Sequence, residues 1–287
     1  MNAPASPVAP ADPFRGARWT RLGWLALAAY VVYACSRMEI SWERVATGLA
    51  NAARFFDRLF PPNFSRWELL LKGLVESLEI AVLASALGIA LALPIGLAAA
   101  RNLMPAWATW PARGVIVACR SFHPVIVAIV FVKAVGFGAL AGILALTVAS
   151  IGFIGKLFTE AVEEISEKPV EAVRATGAPF ASVLAFGVLP QVFSRFIGFA
   201  TYQLDSNLRN STMVGIVGAG GIGGTLFAAF QRFDYDFVCA ILIALISLIM
   251  AGEIVAGGVR RIFLDNATLP ELFRRGGAAR ERRLEDD

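Results

Sequence analysis

Few residues in this 287-residue sequence are of a type and spacing that could do chemistry, and they fall into three groups. Gly218, Gly220 and Gly223 spell G-x-G-x-x-G after the strand-like run 213–217, with Asp234 and Asp236 beyond. That is the spacing of a turn whose glycines admit a dinucleotide pyrophosphate. Such a turn needs a βαβ unit around it. Here the next apolar segment is 237–259, which ends at Arg260 and Arg261, so a glycine turn that lets backbones pack closely is the better reading. The second group is Arg195, Tyr202, Asp205, Arg209 and Thr212, at steps of 7, 3, 4 and 3, which share one face of a helix. Asp205 and Arg209 stand at i, i+4 and can pair. Arg209 with Ser211 and Thr212 supplies guanidinium and hydroxyl donors that match the oxygens of a tetrahedral oxyanion. The same face would also serve to pin a helix at a membrane interface. The third group is His123, Arg120 and Glu253. His123 is the single histidine, which excludes multi-histidine metal sites, and beside Pro124 it reads as a residue at a helix kink. Arg120 suits an anion path or an interfacial anchor equally, and Glu253 is expected to pair within its bundle. No G-x-x-x-x-G-K-[ST] occurs, so ATP hydrolysis is not expected of this chain, and no cofactor or metal is expected in it.

The elements that must carry these residues follow from composition. The chain is 57% apolar and 17% charged, with a mean hydropathy of +0.65, against roughly 45–50% and ~25% for soluble domains. This excludes disorder and a disulfide scaffold and points to an all-α integral membrane protein. The net charge of +4 is explained by residues flanking spans and gives no reason to invoke nucleic acid. Uncharged runs at 80–100 and 134–155 are long enough to cross a ~30 Å core. Further spans are expected at 19–36, 116–132, 190–210 and 237–259, six in all. Arg15, Arg18 and Arg21 around the start of the first, and Arg260 and Arg261 after the last, favour cytoplasmic ends. The proline-bearing residues 1–18 read as a disordered tail, 37–73 as an external amphipathic segment, 74–260 as the core with five spans, and 261–287 as a second cytoplasmic tail. Within the external segment Trp42, Val45, Leu49, Ala52, Phe56 and Leu59 recur at helical spacing, with Pro61 and Pro62 closing the helix. Cys35, Cys119 and Cys239 lack metal spacing and are expected to be buried small hydrophobes.

Residues 156–182 concentrate charge between two spans and are expected to form a polar helical hairpin outside the membrane. Pro169 at a helix start, Glu171 in its first turn and Gly177 at its end fit a helix of about two turns. Glu171, Ala172 and Val173, then Gly177, then Leu189 and Pro190 match in spacing the E-A-A, three residues, G, nine residues, I-x-L-P motif. On this motif the chain resembles the permeases of bacterial ABC importers. Val173 stands for the second Ala and Gly187 for the Ile. G-I-V-G-A-G-G-I-G at 215–223 after R-N-S-T at 209–212 is similar to the segment shared by the methionine, glycine-betaine and phosphonate branches. F-P-P-N-F at 60–64, L-A-L-P-I-G-L-A-A-A-R-N at 91–102, R-S-F-H-P at 120–124 and F-V-K-A-V-G at 131–136 resemble the phosphonate branch.

The resemblance implies a type I importer permease fold of about six spans, in the inner membrane, with both termini and a coupling helix on the cytoplasmic side. It implies that Glu171, Ala172, Val173, Gly177 and Pro190 belong to the docking site for an ATPase. The expected partners are two ATPase copies that bind ATP and Mg, a periplasmic or lipid-anchored binding protein, a second permease copy and membrane lipid. The substrate implied is a phosphonate, phosphite or phosphate ester. Methionine, betaine or another small solute is the alternative, and a membrane-bound nucleotide-dependent oxidoreductase a more distant one.

Overall fold

The structure is a computed structural model that describes residues 17–38 and 41–285; of the tail expected at 1–18, all but the last two residues lie outside the described residues. Every element among the described residues is helical, and the chain divides into two units, Met1–Arg58 and Leu59–Asp287.

The first unit holds α1 (Ala17–Arg37) and nearly all of α2 (Trp42–Leu59). The α2 helix is amphipathic as its spacing predicts. Ser41 caps it, its hydroxyl accepting the Arg44 N–H at 3.2 Å, and Glu43 and Arg58 lie at the ends that the helix dipole favours. In α1 the uncharged run is only 22–36, fifteen residues or about 22 Å of helix. Cys35 is exposed along α1 rather than buried, and Cys119 is only half-buried. Of the three cysteines only Cys239, inside the second unit, lies in a core.

The second unit is built on α3 (Trp67–Ala99), α4 (Ala106–Ser121), α5 (Pro124–Val135) and α6 (Ala139–Glu163). It continues with α7 (Glu167–Ala175), α8 (Phe180–Ser182), a π-helical turn (Val183–Val188) and α9 (Leu189–Ile216). It closes with α10 (Ile222–Gln231) and α11 (Tyr235–Glu285). Four helices among the described residues are long and apolar enough to cross a membrane: α3, α6, Phe180–Ile216 and the Tyr235–Val259 part of α11. The α4–α5 pair adds a fifth if it is one crossing, while α1, the first of the six expected, is not among them.

Three expected spans change shape. The run expected at 80–100 is the inner two-thirds of α3, which begins at Trp67. A criterion of no charge cannot see the outer turns, which carry Glu68, Lys72, Glu76 and Glu79. The span expected at 116–132 is not straight, because Phe122 and His123 are extended and turn α5 by 93° from α4. His123 Nδ1 accepts the Val125 N–H at 3.3 Å, so the lone histidine caps α5 with Pro124 in its first turn. The run expected at 134–155 is interrupted at Gly136 and Gly138, whose φ values are positive, and resumes as α6.

The core is a seam of small residues. Ile80 lies against Gly142, Gly88 against Ser150 and Gly96 against Phe158, three pairs with the same 62-residue separation. A constant separation means that α3 and α6 run parallel and in register. Gly73, Ser77, Ala81, Ala84, Ser85 and Gly88 face inward, while Leu71, Val75, Leu78 and Val82 point out. This inverts a water-soluble core: in lipid, large apolar side chains gain nothing by hiding, and small ones let backbones approach. The α9 helix runs antiparallel to α6, with Phe196 beside Phe158 and Tyr202 stacked on Phe153 at 5.5 Å. The α11 helix packs on α9 through Gly252 and Leu208. Glu253, one residue or about 100° further round, is exposed instead of paired inside the bundle. At the far end Arg66 pairs with Asp234 and stacks 3.9 Å over Phe237, and Asn63 bonds Asp236 at 3.0 Å, fastening the start of α3 to that of α11.

Candidate functional site

The charged hairpin is shorter than expected, since α6 runs on to Glu163 and takes Lys156 and Glu160 with it as an i, i+4 pair at 3.4 Å. What projects is α7. Ser166 precedes it, Pro169 sits in its first turn, and Gly177 with φ +75° follows it, its N–H bonded to Arg174 O at 3.0 Å. One side of α7 is anchored. Val170 is buried in a cluster with Phe158, Val162, Val183, Val188 and Val192, and Val173 packs half-buried at its edge. Gly187 lets the next helix approach so closely that a Cβ there would stand 3.2 Å from Val170 Cα. The departures Val173 and Gly187 thus face the same contact.

Pro190, second in α9, cannot donate a ladder bond, and the preceding turn widens to π geometry, with Leu189 N–H reaching Leu184 O. Gln191 then clamps the hairpin. Its amide nitrogen donates to Ser166 O at 3.2 Å and Gly187 O at 2.6 Å, and its oxygen accepts Ser166 N–H at 3.1 Å. The other side of α7 is bare: Glu171, Ala172 and Gly177 are exposed. The result is a short charged helix held firmly on its inner side and exposed on its outer side.

The face expected on α9 does not act as one cluster. Arg209 and Asp205 do pair, at 2.6 Å, and the arginine is 46% exposed while one carboxylate oxygen of Asp205 is buried without a partner. Arg195, fourteen residues or about 21 Å away, pairs at 2.7 Å with Glu164 beside α7. Tyr202 is exposed and stacked on Phe153. Ser211 and Thr212 are buried, and the Ser211 hydroxyl donates to Leu208 O at 2.8 Å; at 100° per residue Ser211 stands about 200° round from Arg209.

Of two further polar features, the first has no counterpart among the residues singled out by spacing and the second shares Arg120 with them. Asn207 donates to Ser85 and Ser150, and Gln203 to Ser150 and to Asn207, all at 2.9 Å, in a buried network joining α3, α6 and α9. Amides and hydroxyls inside apolar runs are the available signal. The second is a cleft of about 500 Å³ between α4 and α6, walled by Arg113, Arg120, Lys156, Glu160 and Glu163. There Arg113 pairs with Glu163 at 2.6 Å and donates from Nε to Ala99 O at 3.0 Å.

The G-x-G-x-x-G turn is filled by the protein itself. Residues 213–216 are the end of α9 rather than a strand, and Val217 begins the turn. Gly218, Gly220 and Gly221 have positive φ. Their faces meet Phe137, Ala139 and Ser77, and Ser77 Oγ accepts the Ile222 N–H at 2.8 Å. Asp234 and Asp236, which a dinucleotide site would aim at a ribose, belong to the clasp with Arg66 and Asn63. The glycine faces are thus met by the protein's own atoms, and a close-packed glycine turn is what forms.

Residues 92–265 match the family described as binding-protein-dependent transport system inner membrane component. The chain is 37% identical over 248 residues to the phosphite transport system permease protein PtxC of Stutzerimonas stutzeri, covering 85% of this chain and 90% of that one. It is 39% identical over 237 residues to the phosphate-import permease protein PhnE of Mycolicibacterium smegmatis; this covers 82% of the chain but only 43% of that relative's length. Among solved structures it resembles the inward-facing MetNI methionine ABC transporter with a TM-score of 0.62 over 70% of this chain and 99% of that one; at 24% identity this is a likeness of fold.

Proposed function

The chain belongs to the binding-protein-dependent transport system inner membrane components, and from that premise we propose that it carries a phosphorus oxyanion across the membrane as the permease of an ATP-driven importer. The substrate class is phosphonate, phosphite or phosphate ester; relatives named for phosphite transport, phosphonate transport and phosphate import support a phosphorus oxyanion. The observation that carries the reading is α7: a helix anchored through Val170 and Gln191 with Glu171 and Ala172 turned outward. In this reading α7 lies on the cytoplasmic side, both termini share that side, and α7 docks on a separate ATPase that binds ATP and Mg. Two ATPase copies, a binding protein on the other side and a second permease copy complete the assembly.

Transport then proceeds by alternating access. A loaded binding protein docks outside, nucleotide closes the ATPases inside, and α7 passes that closure to α6 and α9. Arg209 gives the path a guanidinium for the oxyanion, and its pairing with Asp205 moderates the hold, since a site that binds tightly in both states cannot release. The exposed charge of Arg209 within a span is accommodated if the second copy turns this face into a polar channel.

The test is growth of a permease deletion strain on phosphite or a phosphonate as sole phosphorus source, complemented by the wild-type chain. Complementation for methionine uptake and not for either phosphorus source would refute the substrate class. In reconstituted transporter, Glu171→Lys is expected to uncouple ATP hydrolysis from uptake, and wild-type coupling in that variant would remove α7 from the docking role. Arg209→Ala, correctly assembled, is expected to slow uptake; unchanged transport would take Arg209 off the path.

A further inference from the structure

The cleft between α4 and α6 has a use that its structural role leaves over. Its walls bring three cations, Arg113, Arg120 and Lys156, against two carboxylates, Glu160 and Glu163. Two ion pairs absorb four of the five charges: Arg113 with Glu163 at 2.6 Å, and Lys156 with Glu160 at 3.4 Å. Glu163 is committed further, accepting the Arg101 N–H at 2.8 Å. Among the described residues Arg120 takes no carboxylate. It is nevertheless firmly seated, because its stem crosses α6 at Gly152, where a Cβ would stand 2.6 Å from Arg120 Cγ. Any larger residue at 152 would displace it.

Depth decides what such a cation is for. Gly152 lies eleven residues before the end of α6 at Glu163, about 16 Å along the helix. That is further than an arginine side chain reaches, so the Arg120 guanidinium stays away from the α7 end of the helix. An arginine at the α7 end would reach water with its own length, whereas one set back along a span persists only where it faces a partner or a polar cavity. The partner is absent among the described residues and the cavity is present.

We propose that the α4–α6 cleft is an anion site on the α7 half of the transport path, in which the Arg120 guanidinium holds a tetrahedral phosphorus oxyanion after it leaves Arg209. The assignment of phosphorus as the central atom rests on the function proposed above; the site for an anion rests on the cleft. A planar fork of donors matches two oxygens of such an ion. Lys156, about 10 Å from the α7 end of α6, stands between Arg120 and the exit, so the ion moves toward a second cation already moderated by Glu160. One unmatched charge with neutralised neighbours gives a weak hold, which a site of passage requires.

The experiment uses the whole transporter, with its ATPase and binding protein, in proteoliposomes. Cys35, Cys119 and Cys239 are replaced by Ala, retained uptake is verified, and Ser121, an exposed residue of the cleft wall, is changed to Cys. Labelling rates are compared for a methanethiosulfonate reagent bearing a sulfonate and its trimethylammonium counterpart. The anionic reagent is expected to react faster by roughly tenfold. That preference should vanish in Arg120→Gln and persist in Arg120→Lys, and phosphite or methylphosphonate should slow labelling. Equal rates, no labelling by either reagent, or a preference that survives Arg120→Gln would overturn the site. A charge preference that depends on Arg120 but is indifferent to both phosphorus anions would keep the site and refute the substrate class instead.

Discussion

Two connections between long helices stand at opposite ends of one bundle and are built in opposite ways. At 215–223 the chain turns from α9 into α10 on close contacts, with glycine faces set against the backbone atoms Gly220 O, Ala139 N and Thr212 O and against the side chains of Phe137 and Ser77. At 164–188 it turns from α6 into α9 through α7, a helix with an exposed charged side. That connection is held by Val170, Gly187 and the three bonds of Gln191. The first connection has no slack. The second is held by a few separate contacts. A force applied to α7 would therefore reach α6 and α9 through Val170, Gly187 and Gln191 before it met the close-packed glycine turn.

The glycine end gives the largest predicted effect. A Cβ at Gly223 would collide with the carbonyl oxygen of Thr212 on α9, and backbone cannot swing aside as a side chain can. Gly223→Ala should cost ~3 kcal/mol, the upper end of what overpacking a core does, and more if α9 shifts. Thermal unfolding of the purified protein should show a large fall in Tm, or the variant should fail to accumulate. An unchanged Tm would mean that the turn has slack after all.

At the α7 end the matching change is milder. A Cβ at Gly187 would sit 3.2 Å from Val170 Cα, so α7 must give by only a few tenths of an ångström. Gly187→Ala is expected to cost about 1 kcal/mol in stability. Its larger consequence should be a several-fold fall in the uptake obtained per ATP hydrolysed, because the helix proposed to receive the ATPase has moved. If Gly187→Ala lowers Tm as far as Gly223→Ala and leaves coupling intact, the two ends do not differ in the way proposed.

This contrast is unevenly legible in the sequence. The Pro169 and Gly177 signals locate α7 to within two residues, because capping chemistry is local. The span that follows the glycine turn is enough to mark it as packing rather than nucleotide binding. Its partners Ala139 and Ser77 are not legible, because no local period encodes a contact made across the fold. Ile222 meets Ser77 through a hydrogen bond that spans 145 positions, and only the folded chain brings the two together. The parallel seam of α3 and α6 is hidden for the same reason: each helix shows its small residues, but nothing in one sequence says which stripe meets which. On α9 the charges draw attention to Arg209 and Asp205, whereas the residues turned inward are the uncharged Gln203 and Asn207. Counting charge finds what a membrane helix must expose to a polar path; it misses the neutral amides that join helices.

The smallest effect is expected between the two ends, at Gly198 in α9. Nothing lies within 4 Å of where its Cβ would be, and it lines an open groove with Phe153, Leu157, Arg195 and Tyr202. Since the position is helical and unobstructed, Gly198→Ala should stabilise the isolated chain by about 0.5–1 kcal/mol, the helix preference of alanine over glycine. A small rise in Tm of the purified subunit checks it. The same substitution in the assembled transporter sharpens the comparison, because a groove between α6 and α9 that stays open in the complex keeps the gain. If a helix of the second permease copy enters the groove, the added methyl group meets it, and the gain turns into a loss. The sign of that single change therefore reports whether the middle of α9 is a wall of the path or a seam between copies.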